Sequence, residues 1–99
     1  MSLYRRLRQT ENTKYDFSSR ELNSLGYQVM RMGDAAGAVE IFKLNVEQFP
    51  KEWNVYDSLG EAYLKLGNKA EAIRNYKKSV DLNPANDNGI GVLKSLGAS

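Results

Sequence analysis

The chain has 99 residues, 41% hydrophobic and 26% charged, with two prolines and a formal net charge of +2, the profile of one ordinary globular domain. It contains neither cysteine nor histidine, which excludes thiolate and imidazole metal sites, Cys–His and Ser–His nucleophilic pairs and an imidazole switch near neutral pH; no cofactor is expected, and an enzyme would have to run on carboxylates, lysines, tyrosines or serines. No apolar run approaches the roughly 20 residues that span a bilayer, and the lack of cysteine fits a reducing cytoplasm and an oxidising periplasm alike, so the compartment stays open.

The positive charge is concentrated at the start. Residues 1–20 hold Arg5, Arg6, Arg8, Lys14 and Arg20 against Glu11 and Asp16, whereas the rest of the chain is slightly acidic. No apolar segment comes after these arginines, so they do not open a secretory signal. With Tyr4, the arginine cluster has the chemistry of a phosphate contact, but it is short and the remaining surface is acidic. The preferred reading of residues 1–17 is a basic segment or short helix whose Tyr4 and Leu7 dock over the open edge of the adjoining helix pair; no specific nucleic-acid binding is expected.

Ser18-Ser19-Arg20-Glu21 has the form of a capping box. The helix it opens carries Leu22, Leu25, Val29 and Met32 at helical spacing and ends at Gly33. Asp34 caps a second helix with Ala38, Val39, Phe42 and Val46 inside, which runs out before Phe49-Pro50 because the residue before a proline disfavours helical geometry. Gly37 weakens this helix by about 1 kcal/mol relative to alanine, a cost that close packing would explain. A third helix takes its apolar face from Trp53, Tyr56, Leu59, Tyr63 and Leu66 and stops at Gly67. Asn68-Lys69-Ala70-Glu71 is a second capping box, opening a fourth helix with Ala72, Ile73, Tyr76 and Val80; Asn83-Pro84 closes it. A fifth, from Asn86 or Asp87 to Leu96, carries Ile90, Val92, Leu93 and Leu96 and is thinned by Gly89 and Gly91.

These elements repeat. Leu25, Gly26, Gly33, Ala38, Phe42 and Pro50 recur, all at one constant interval, as Leu59, Gly60, Gly67, Ala72, Tyr76 and Pro84. A fixed period of about 34 residues marks stacked helix pairs, each burying its apolar face against its neighbours. The domain is thus all-α: residues 18–99, with a first copy at about 19–52, a second at about 53–86 and a capping helix at about 87–97. Gly26 and Gly60 sit mid-helix, where glycine is unfavourable; they face the segments carrying Ala38 and Ala72 and let antiparallel helices approach closely, with Phe42 and Tyr76 alongside.

The Leu-Gly pair, turn glycine, alanine, aromatic and closing proline, present in both copies, resemble those of tetratricopeptide repeat proteins. The resemblance implies an α-α superhelix whose concave groove, lined by the first helix of each pair, holds partner peptides or proteins. Two positions depart from the pattern: Leu22 stands where a large aromatic is usual, and Asn45 where a small apolar residue is usual; Asn45 is read as a hydrogen-bonded interior amide. A finer resemblance runs through Tyr15-Asp16-Phe17-Ser18, Glu21-Leu22-Asn23-Ser24-Leu25-Gly26-Tyr27 and Trp53-Asn54-Val55-Tyr56-Asp57-Ser58-Leu59-Gly60-Glu61-Ala62-Tyr63. It is similar to the repeat module at the C-terminus of bacterial serine hydrolases of the β-lactamase and esterase type. That likeness implies a fragment of a longer enzyme carrying none of its catalytic machinery, and would allow a periplasmic setting.

Removing the packing positions leaves a polar set on the first helices: Asn23, Tyr27 and Arg31 on one, Asp57, Glu61 and Lys65 on the other. At i, i+4, i+8 each triplet shares a face, and one period apart Asn23 neighbours Asp57, Tyr27 neighbours Glu61 and Arg31 neighbours Lys65. With Asn54, Ser58 and Asn88 they form a continuous polar floor, the candidate site for an extended peptide or partner segment. Repeat proteins that clamp the C-terminal carboxylate of heat-shock chaperones use lysine and asparagine there, as the resemblance implies; Asp57 and Glu61 would repel that group, so a basic or neutral ligand fits better. The same two acids are the best pair for acid–base chemistry, but nothing predicts the enclosed apolar pocket that would tune them, and a solvated acidic patch is expected. Trp53 is expected to pack near Phe49 rather than anchor an interface. The expected function is therefore non-catalytic protein–protein interaction, the alternatives being an accessory domain packed on its own parent hydrolase and a self-association module using the open ends of a two-repeat stack.

Overall fold

The computed structural model describes residues 18–98; the readings made for residues 1–17, including the docking of Tyr4 and Leu7 and the Arg5, Arg6, Arg8 cluster, lie outside them. Five helices succeed one another: α1 Ser19–Arg31, α2 Ala35–Gln48, α3 Trp53–Leu66, α4 Lys69–Leu82 and α5 Asp87–Ser95. Each packs on the next in sequence, and α1 also touches α3. Two antiparallel pairs, α1–α2 and α3–α4, are thus stacked side by side, and α5 closes the far end as the tetratricopeptide-like pattern implies.

Local chemistry sets the boundaries. The Ser18 hydroxyl accepts from the Glu21 amide at 3.1 Å and the Glu21 carboxylate accepts from the Ser18 amide at 2.8 Å, completing the first capping box. The second is half built: Asn68 Oδ1 accepts from the Glu71 amide at 3.2 Å, while the Glu71 carboxylate faces Arg74 at 3.5 Å, one turn along the helix. Gly33 and Gly67 end the first helix of each pair with φ of 94° and 91°, a region costly for any residue with a Cβ. Gly37 has a more specific role than packing. The Asp34 carboxylate caps α2 by accepting from the Gly37 amide at 2.8 Å, and a Cβ on Gly37 would lie 2.3 Å from that carboxylate, so the glycine makes room for the cap.

The core follows the period. Ala38, Val39, Phe42, Leu59 and Ala62 form one buried cluster between the two pairs, Leu22, Ile41 and Leu44 a second, and Ala72, Tyr76 and Leu93 a third under α5. Leu93 stands one full period after Leu59, so the capping helix supplies the packing residue that a third copy would. The mid-helix glycines face the helices that carry Ala38 and Ala72, and the nearest atoms there belong to the aromatic rings: a Cβ on Gly26 would fall 2.3 Å from Phe42 Cε1, and one on Gly60 would fall 2.8 Å from the Tyr76 ring. Ring and glycine thus form one packing unit per repeat.

Three apolar residues depart from their expected placement. Met32, the C-cap of α1, is 76% exposed, and Leu66, the last residue of α3, is 46% exposed. Trp53 remains 37% exposed and joins no buried cluster, whereas Phe49 packs on Leu22, Ile41 and Leu44; what the fold uses of Trp53 is its carbonyl, which accepts from Ser79 Oγ at 2.9 Å. Val55, Ile41 and Ala62, not assigned to the core by spacing alone, are fully buried.

Candidate binding face

The first helices α1 and α3 and the capping helix α5 carry the polar set along one face. Tyr27 on α1 donates its hydroxyl to Glu61 Oε1 on α3 at 2.7 Å, and its ring meets the buried Phe42 edge-on, with centroids 5.2 Å apart. Asn23, one turn earlier, does not pair with Asp57. Its Oδ1 accepts from the Ser58 hydroxyl at 2.5 Å, and Asp57 turns the other way, toward α5, where its Oδ2 accepts from Asn86 Nδ2 at 2.9 Å and receives a long contact from Asn88 at 3.5 Å. The polar ladder therefore runs across all three helices but slips by one residue at its first rung. Arg31 and Lys65 lie in the last turns of α1 and α3, both exposed. Asn54 is half-buried beside Arg20, Asn23, Phe49 and Glu52 in an open cleft of about 680 Å³ between the starts of α1 and α3.

Asn86 is the residue that sequence reasoning missed in this region. It caps α5, its Oδ1 accepting from the Gly89 amide at 3.2 Å, and its amide donates both to Asp57 and to the buried Ser79 hydroxyl at 3.0 Å. Three helices are tied at one side chain that is 5% exposed. Ser79 in turn donates to the Trp53 carbonyl. The period contains the signal. Ser79 comes one period after Asn45, and Asn45, fully buried, donates to the carbonyl of Ser19, which comes one period before Trp53. At one shared position, two different polar side chains anchor the first turn of the first helix. Asn45 is thus the interior amide expected. Its Oδ1, like the Ser19 hydroxyl, is buried without a hydrogen-bond partner.

The face is acidic and phenolic. Burial pushes the Tyr27 hydroxyl up to about 12; the nearby Glu61 and Asp57 carboxylates add to this and Ser58 opposes it. Tyr76, 2% exposed, is raised further, first by burial and then by the charges of Asp57, Glu61 and the Tyr27 hydroxyl. Both phenols are held neutral and able to donate across the ordinary pH range. On the opposite side, Lys43, Val46, Glu47, Leu59, Tyr63 and Arg74 line a smaller cleft of about 270 Å³ of mixed charge.

Residues 53–86 match the family model of the tetratricopeptide repeat, the same span that the internal period assigns to the second copy. No curated protein matches the chain.

Proposed function

We propose that this domain holds an extended peptide or partner-protein segment against the face formed by α1, α3 and α5, without catalysis. Tetratricopeptide repeats generally mediate protein–protein interactions. The observation that carries the reading here is the cross-helix polar ladder, Asn23–Ser58, Tyr27–Glu61 and Asp57–Asn86. Side chains already fixed by their neighbours lose little rotamer freedom when a ligand docks, which favours binding by preorganised groups. An extended chain suits such a face because its backbone amides and carbonyls find acceptors and donors at each rung. A hydrolase domain of a longer parent chain is one such partner, held in cis.

The test is selection of displayed random peptides on the folded chain, with subsequent mapping of backbone amide shifts. Binding is expected to perturb Asn23, Tyr27, Ser58, Glu61 and Asn88, and Asp57→Lys combined with Glu61→Lys is expected to abolish it. Perturbation confined to the Lys43, Tyr63 and Arg74 cleft, or binding indifferent to the double reversal, refutes the assignment. Line broadening that grows with protein concentration alone would favour self-association instead.

A further inference from the structure

On the reading that this face binds a peptide, we propose that the Asp57–Glu61 turn of α3, with the Tyr27 and Tyr76 hydroxyls beside it, is a subsite for one basic side chain, arginine or lysine, of that peptide. Asp57 and Glu61 stand four residues apart, so they share one face of α3. Each commits a single oxygen within the fold: Asp57 Oδ2 to the asparagines of α5, and Glu61 Oε1 to Tyr27. Their other oxygens, and the negative charge of both groups, have no basic partner among the described residues.

Tyr76 supplies the independent observation. Its ring lies against the backbone of Gly60, a residue between the two acids, at a distance that a Cβ would close to 2.8 Å. The side chain is 2% exposed, its hydroxyl has no hydrogen-bond partner among the described residues, and it lies close enough to Asp57 and Glu61 to feel both charges. In the first copy the same position is Phe42, fully buried against Gly26, where a bare ring suffices for packing. The hydroxyl of Tyr76 is therefore not needed to build the repeat. It adds a polar atom to the floor of a pair of acids that lack a cation. A guanidinium or ammonium group there would engage the two vacant carboxylate oxygens through charge-assisted hydrogen bonds and give the phenol oxygen a donor. It would also relieve the repulsion between like charges on adjacent turns.

The experiment is an amide-shift titration of the full chain with the capped pentapeptide Gly-Gly-Arg-Gly-Gly and with its counterpart in which neutral citrulline replaces arginine. The arginine peptide is expected to bind about tenfold more tightly, with shifts centred on Tyr27, Gly60, Glu61 and Tyr76, as befits a charge-assisted contact. Asp57→Asn is expected to erase the preference, and Tyr76→Phe to reduce it without lowering the melting temperature, because phenylalanine already fills this position in the first copy. Equal affinity for the two peptides, or no shift at this turn, overturns the subsite. If displayed peptides still map to the α1–α3–α5 face while arginine confers no advantage, the peptide-binding reading stands and only the basic subsite falls.

Discussion

Ser18, Glu52 and Asn86 stand one period apart as the N-caps of α1, α3 and α5, and only Glu52 makes no side-chain cap bond. Its backbone is extended, with φ −94° and ψ 121°, a conformation suited to capping. Glu52→Asn should therefore let a short side chain accept from the Val55 amide, as Asn86 accepts from Gly89, for a gain of about 1 kcal/mol. The loss of an exposed carboxylate from the helix N-terminus offsets about 0.3–1 kcal/mol of that. A second contribution is specific to this fold. Asn86 Nδ2 donates to Ser79, and the residue equivalent to Ser79 is Asn45, whose buried Oδ1 lacks a donor. If the new amide takes the pose of Asn86, it supplies that donor and removes a defect that costs about 1–3 kcal/mol. The expected net stabilisation is about 1–4 kcal/mol, a rise in melting temperature on the order of 4–30 °C for a domain of this size. Thermal melts monitored by helical circular dichroism measure it. Glu52→Gln is the control, since it removes the same charge with a side chain poorly suited to capping, and should leave the midpoint unchanged or slightly lower. A Glu52→Asn midpoint no higher than that of Glu52→Gln would refute the equivalence of the three caps.

Gly26→Ala should destabilise by about 1–3 kcal/mol through overpacking, because the new Cβ would meet a fully buried phenylalanine ring at 2.3 Å; Gly60→Ala should cost less, its ring contact being 2.8 Å, and denaturant unfolding would expose a reversed order. Asn86→Ala removes a helix cap and two side-chain bonds, and should cost about 2–3 kcal/mol with hydrogen exchange accelerated first in α5; uniform exchange across the chain would contradict its role as the three-helix tie. Tyr27, raised from 10.0 to about 12, keeps its proton in the folded state to higher pH than in the unfolded one, so its contribution to stability is complete below pH 10 and is lost as the pH climbs toward 12; Tyr27→Phe should flatten that decline, and an unchanged slope would remove the tyrosine as its source.

The helices were legible because each boundary has a local cause. Ser18, Asp34, Asn68 and Asn86 cap through their own side chains, and Gly33 and Gly67 take the left-handed turn, so these bounds follow from a few adjacent residues. The placement of Met32, Leu66 and Trp53 was less legible, since helical spacing reports the direction of a side chain but not whether a neighbour extends far enough to cover it. The face itself was readable in part. Tyr27 and Glu61 meet across one full period, but Asn23 reaches Ser58, because a side chain chooses among several partners within one turn and Asp57 has a stronger claim from the α5 amide.

What the period conceals is that equal positions need not hold equal residues to perform equal work. Asn45 and Ser79 differ in size and chemistry, yet each donates to the carbonyl of the first residue of the first helix in its own repeat. The serine is the smaller donor, and the space beside it admits Asn86, which links the second copy to α5 and turns Asp57 onto the shared face. In the first copy the larger asparagine retains an unsatisfied oxygen, and Glu52 provides no donor to meet it. The exchange of Phe42 for Tyr76 runs in parallel, adding a hydroxyl where packing requires only a ring. The polar character of the second copy is thus concentrated around Asp57 and Glu61 by substitutions at positions whose packing role is already met; on the proposed reading, that is where a partner would be distinguished, without altering the helices that present it.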